Sequence, residues 1–264
     1  IRRANLIDAT PIGINVRSTV ATYCGALDDV RRAYARTDSA KAAGLKMGDF
    51  SYNTGSLRCA TCDGTGQISL DVQFLPDVDI ACPDCRGSRY DTAAEKIRRP
   101  EKGAPDDQAL SLPHLLALSV DEALPHVADV KKAHEKLQTL HDLGLGYLTL
   151  GEATPALSGG EAQRLKLASE MGRGQADAVF VFDEPTIGLH PRDVETLLGV
   201  FQRLVEQGAT VVVVEHDLDF IANADYVIDM GPQGGKAGGR IVACGTPEEI
   251  AANRESVTGR YLEI

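Results

Sequence analysis

The chain has 264 residues, 43% of them hydrophobic and 25% charged, enough to bury a substantial core as one large domain or two small ones. A net charge of −11 argues against a dedicated nucleic-acid binder, and no apolar run approaches the ~18 residues that cross a bilayer, so no membrane partner is expected. No apolar stretch of a signal peptide follows Arg2 and Arg3, and the chain opens on Ile1 rather than Met, so we expect a piece of a longer, cytoplasmic protein.

Residues 1–47 are expected to form an N-terminal part with a helical stretch rich in Ala and Arg over Leu27–Ala43. Residues 48–99 form a Gly- and Cys-rich module in which Ile68, Leu70, Val72 and Phe74 alternate as in a hairpin strand. Residues 100–150 open on a polar, Pro-containing loop over Pro100–Asp107. They turn helical from Ser119, where Val130, Ala133, Leu137, Leu140 and Gly144 fall on one face. Residues 151–264 alternate helices and strands. A helix follows Ser158, then an apolar strand over Val179–Phe182. Next comes a helix over Arg192–Gln207 presenting Val194, Leu197, Leu198, Phe201, Leu204 and Val205, and then the strand Val211–Val214. Tyr226–Met230 and Arg240–Cys244 read as a closing hairpin around the Gly-rich GPQGGKAGG. Continuous apolar strands between amphipathic helices predict an α/β fold, a parallel sheet with helices on both faces.

Basic residues are uneven on this acidic chain. Arg17, Arg31, Arg32 and Arg36 crowd the first quarter, and Arg86, Arg89, Lys96, Arg98, Arg99 and Lys102 follow Cys85. Either a local basic face or an ordinary solvated surface fits this pattern.

The strongest chemical string is LSGGEAQR, Leu157–Arg164. Ser158 with Glu161 three residues on is a capping box that opens a helix. Gly159 and Gly160 leave the backbone bare there, and free N–H groups with the helix dipole suit a phosphate. A plain helix cap is the competing reading. VFVFDEP, Val179–Pro185, ends a buried strand in the carboxylates Asp183 and Glu184, at the edge of the sheet where α/β ligands bind. His216 follows the apolar run ending in Glu215. Cys59-x₂-Cys62 and Cys82-x₂-Cys85, separated by nineteen residues, suit one tetrahedral zinc ion, with Gly64, Gly66 and Gly87 providing tight knuckle turns. Cys24 and Cys244 are expected to be ordinary buried thiols. The phosphate-binding string GxxxxGK[ST] does not occur in the 264 residues. GPQGGKA, Gly231–Ala237, has too short a spacing and reads as a hairpin loop.

LSGGEAQR is also the signature of the ABC ATPases. That resemblance implies that Asp183 helps hold Mg²⁺, that Glu184 is the general base, that His216 is the switch histidine at the γ-phosphate, and that GLHPRD, Gly188–Asp193, is the D-loop region. Ser158, Gly159, Gly160 and Glu161 would serve a nucleotide held by a different P-loop. A Cys₄ insertion before the signature is foreign to transporter ATPases. Together with PIG…RS…ATY (Pro11–Tyr23), FSYN (Phe50–Asn53), RCxxCxGxG (Arg58–Gly66), FLPDV (Phe74–Val78), CPDCRGSRY (Cys82–Tyr90), LGLGYLTLG (Leu143–Gly151), DEPTIGLH (Asp183–His190) and TGRYL (Thr258–Leu262), it resembles the UvrA family. The resemblance implies the second of two ATPase modules of a cytoplasmic, homodimeric DNA-repair ATPase of the excision nuclease and the SOS response. Such a protein binds damaged double-stranded DNA and loads a UvrB-type helicase subunit, with ATP–Mg²⁺ and structural zinc as cofactors. Two residues depart from the pattern. Ala9 stands where the family has a Q-loop glutamine, and Ile187 where it has a second threonine. Three alternatives stay open at this point: a UvrA-like paralogue for resistance to DNA-binding drugs, a non-catalytic zinc scaffold that binds DNA or protein, and a DnaJ-type zinc module, of which only one full and one partial motif copy are present.

Overall fold

Three parallel strands form the sheet, in the order Arg3–Ile7, Ala178–Asp183, Thr210–Val214. The computed structural model describes all residues except 14, 71–77, 101–108, 172–175, 232–237 and 263–264, and only the backbone of 191–193. It divides into two compact units, Ile1–Asp8 with Gln175–Ile264, and Ala9–Gly174.

In the first unit the central strand pairs on both edges, Phe180 with Asn5 and with Val211. β-Branched and aromatic residues favour these strands. The edge strand Arg3–Ile7 carries little of that signal, and the sequence pattern does not announce it. It forms through parallel pairing from Arg3↔Ala178 to Ile7↔Phe182. Alternation sends Phe180 and Phe182 into the core, where they meet the helix Pro191–Glu206. Phe182 and Phe201 lie 4.4 Å apart between ring centroids, and Phe201 meets Phe220 edge-on at 5.3 Å. The helix buries Val194, Leu197, Val200, Phe201 and Leu204, whereas Val205 faces solvent and Leu198 is half-buried. Val200 therefore takes the core position expected of Leu198 and Val205, since it lies three residues from Leu197 and four from Leu204. On the opposite face of the sheet Leu6, Val212 and Val214 are exposed, so among the described residues this helical cover lies on one face. Val227–Gly231 and Arg240–Gly245 form the expected antiparallel hairpin. Residues 232–237 of its Gly-rich connection lie outside the described residues. Among the described residues of the chain, no helix is long and apolar enough to cross a membrane.

The second unit is mostly helical around a small cysteine module. The stretch expected as one helix over Leu27–Ala43 is broken into Ala26–Tyr34 and Asp38–Ala42. Thr37 causes the break, because its hydroxyl accepts from the Ala40 amide and caps a new helix. Ser119 and Glu122 form a capping box for Val120–His126. Ala133, Leu137 and Leu140 are fully buried along Lys131–Asp142, the face expected from their spacing. Between the cysteine pairs, Gln67–Leu70 and Val78–Ala81 form an antiparallel hairpin. Val72 and Phe74, like the loop Pro100–Asp107 except Pro100, fall outside the described residues.

Candidate functional site

Three groups of side chains carry chemistry, the first in the sheet unit. Asp183 ends the central strand and is exposed at its carboxyl end. Glu184 follows in a left-handed conformation, φ 47°, with its amide bonded to Val214 O at 2.9 Å. That conformation costs a non-glycine residue on the order of 1–3 kcal/mol and persists where the surroundings enforce it, as at functional sites. His216 Nδ1 lies 3.6 Å from Glu184 Oε1, so the two residues singled out from sequence meet at one sheet edge. Glu215 joins their loops. One carboxylate oxygen accepts from the Thr186 amide at 2.8 Å and hydroxyl at 2.5 Å, and the other from the amides of His216 at 2.8 Å and Asp217 at 3.2 Å. Burial pulls the Glu215 carboxyl upward, but these donors outweigh it and hold the group below its ordinary value. Glu215 lies outside the strings that single out Asp183, Glu184 and His216. A lone carboxylate directly after four valines was the available signal, because a charge at the end of an apolar strand needs partners.

The second group lies in the helical unit, at the start of helix Gly159–Met171. Glu161 Oε2 accepts from the Ser158 amide at 2.6 Å and Ser158 Oγ from the Glu161 amide at 3.4 Å, the capping box read from the string. The Tyr147 hydroxyl donates to Glu161 Oε1 at 2.6 Å. Burial raises the Glu161 carboxyl, but the Tyr147 and Ser158 donors outweigh it and leave the group below its usual range. Ser158 and Gly159 are exposed, and Gly160 is half-buried. A Cβ on Gly159 would sit 3.2 Å from the Ala9 Cβ and 3.3 Å from Ala9 O, so the chain at position 9 passes directly against the glycine.

The third group is the cysteine cluster of the same unit. The sulfurs of Cys59, Cys62, Cys82 and Cys85 all lie within 4.8 Å of one another, with Cys59–Cys82 at 3.9 Å and Cys62–Cys85 at 3.6 Å. Tetrahedral zinc with Zn–S near 2.3 Å needs sulfurs about 3.8 Å apart, so this donor set fits such an ion. The Gly66 amide points at Cys62 Sγ from 3.3 Å. Burial raises the Cys62 thiol, but that amide and the neighbouring thiols bring it down to about 7, whereas burial holds the Cys59 and Cys85 thiols above their ordinary value. Gly64 is required where it stands. At φ 77° a Cβ there would fall 1.7 Å from Tyr52 O. Of the two remaining cysteines, Cys24 is buried as expected, whereas Cys244 is exposed, because it lies on the outward-facing side of its hairpin strand.

Lys102 of the basic clusters lies outside the described residues, and most of the others fall into two classes. Arg89 is buried, Arg17 pairs with Asp63, Arg31 with Asp28, Arg32 with Asp29, and Arg99 with Asp129. Arg36, Lys96, Arg98 and Lys132 instead line an open cleft of about 910 Å³ and make no ion pair with a described residue.

A parallel sheet ending in an Asp-Glu pair, a histidine after the next strand and a capped LSGGEAQR helix carry the strings by which the sequence resembles the ABC ATPases. No protein-family model matches the chain. The curated UvrABC system protein A of Streptococcus pyogenes serotype M6 is 46% identical, over 100% of this chain and 27% of that protein, and that of Bacillus subtilis strain 168 is 48% identical, over 97% and 26%. The crystal structure of UvrA2 from Deinococcus radiodurans superposes with a TM-score of 0.86 and 44% identity, over 99% of this chain and 31% of that one. The chain belongs to the UvrA family, and it spans about a quarter of the length of the curated relatives it matches.

Proposed function

We propose that the chain forms part of the second ATPase module of a UvrA-type protein in UvrABC excision repair. In that reading the protein is a cytoplasmic homodimer that binds damaged double-stranded DNA at the expense of ATP and loads a UvrB-type partner. The observation that carries the ATPase reading is the Asp183–Glu184–His216 edge, where an exposed carboxylate ends the strand and a strained one faces a histidine.

Magnesium-bound ATP, when present, would supply the phosphoryl group to be transferred. Asp183, at the open carboxyl end of the strand, holds the metal. Glu184, 43% exposed and fixed by its backbone bond to Val214, orients the attacking water and accepts its proton. His216 contacts the terminal phosphate, held at that edge by Glu215. Ser158 and the free amides of Gly159 and Gly160 stabilise phosphate charge on a nucleotide bound to another P-loop. Cys59, Cys62, Cys82 and Cys85 hold one structural zinc ion. Arg36, Lys96, Arg98 and Lys132 take the DNA backbone. This is consistent with the overall charge of −11, because phosphate contacts depend on local cations rather than on net charge.

The two acids separate by role. In the full-length protein carrying this chain, Asp183→Asn should weaken Mg²⁺-ATP binding, and Glu184→Gln should leave binding intact while slowing hydrolysis. Equal binding defects in both variants, or none in Asp183→Asn, would overturn the assignment.

A further inference from the structure

The zinc-binding knuckle and the signature motif are joined by four residues, Val16–Thr19. On one side these residues are tied to the cysteine module. Arg17 donates to Asp63 O at 2.6 Å and to Asp63 Oδ2 at 2.9 Å, and Asp63 directly follows Cys62. Arg58, next to Cys59, holds the other Asp63 oxygen at 2.7 Å. Arg89, four residues after Cys85 and 7% exposed, donates to Val16 O at 2.8 Å and to Gly64 O at 3.5 Å. Its guanidinium lies 5.3 Å from the ring centroid of Tyr52, whose hydroxyl donates to Arg17 O at 2.9 Å. On the other side the same residues are tied to the segment just before Ser158. Thr154 N donates to Ser18 O at 2.9 Å, Val20 N to Glu152 O at 3.0 Å, and Thr19 bridges Ala153.

We propose that Arg17 and Arg89 are positioning residues through which the cysteine module sets the signature loop. The inference rests on the metal and signature readings above and adds the path between them. Two features make the path stiff. Arg89 is a buried cation whose Nη1 donates to the carbonyls of Val16 and Gly64, so moving it leaves these groups unsatisfied in the interior. Asp63 is held at φ 52° by two guanidinium groups, so the knuckle's own backbone shape depends on the strap it grips. A shift of the module, by loss of metal or by a ligand on its surface, reaches Ser18 and Thr19 directly. It then passes to Thr154, four residues from Ser158.

Hydrogen exchange on the 264-residue chain tests this at the Val20 and Thr154 amides, which close the second half of the path. Arg17→Gln should keep one metal ion per chain and an unchanged cobalt(II) spectrum at the cysteines, yet speed exchange at both amides by about tenfold. Arg17→Lys, which keeps the charge facing Asp63, should recover most of that protection. Removing the metal from the wild-type chain should reproduce the Arg17→Gln pattern. Wild-type protection in Arg17→Gln, or in the metal-free chain, overturns the proposal. So does equal loss in the Gln and Lys variants, which would mark a merely structural site. A shortfall of metal in the wild-type chain would count against the metal reading alone, because the two Arg17 variants are compared without reference to it.

Discussion

If the open cleft grips a DNA backbone, the four of its seven cations that pair with no described carboxylate set the salt dependence of binding. Arg36, Lys96, Arg98 and Lys132 make no ion pair with a described residue, so each is available to one phosphate. Four contacts at roughly 0.9 counterions each give a slope of about −3.6 in log affinity against log salt, so a fourfold rise in salt weakens binding about 150-fold. Arg36→Gln with Lys132→Gln removes two contacts, which should bring the slope to about −1.8 and the loss to roughly 12-fold. Both side chains are exposed, so the double variant should fold normally. Fluorescence anisotropy with a labelled duplex across a salt series reads the slopes. An undiminished slope in the double variant would place the DNA elsewhere, and a flat wild-type slope would remove the backbone contacts altogether.

Two further outcomes follow from the same geometry. Purified chain in reducing buffer should carry one zinc ion, and chelation should lower the thermal stability of the cysteine module; clearly less than one ion per chain would refute the Cys₄ assignment. Glu215 has a lowered carboxyl pKa, so its contribution to stability is complete above the ordinary glutamate value of about 4.3 and is lost as pH falls through the lower folded value. Glu215→Gln should therefore flatten the decline of Tm below about pH 4.3, and an unchanged acid slope would show that the carboxylate is not the group responsible.

What the sequence disclosed depended on how local the determinant was. The capping box at Ser158, the Cys₄ cluster and the central strand are written in neighbouring residues, and each stands where its string put it. The strand Arg3–Ile7 is held by pairing with residues some 175 positions away, and Arg, Ala and Asn give it no β signature. The break at Thr37 is not legible in composition, because an Ala- and Arg-rich run favours helix on propensity while one hydroxyl cap decides otherwise. The α/β class with a parallel sheet was legible because apolar strands such as Val211–Val214 alternate with amphipathic helices; which of those valines are buried was not, and Val212 and Val214 are exposed. At the site, Asp183, Glu184 and His216 were legible as strings. The left-handed backbone of Glu184 and the four donors on Glu215 are properties of the folded loops and have no counterpart in spacing. The basic clusters were ambiguous for a similar reason. Only the fold separates a buried Arg89 from an exposed Lys96.

The central claim is that Glu184 activates water at the strand edge, and phosphate release by Glu184→Gln tests it most directly. The measurement belongs in the full-length protein with its other ATPase module silenced, at saturating Mg²⁺-ATP. Glutamine keeps the shape and hydrogen bonding of the side chain but removes its basicity, so hydrolysis should slow by at least ~10²-fold, the lower range for a general base, with ATP affinity unchanged. Hydrolysis within a few-fold of the unsubstituted protein would contradict the account.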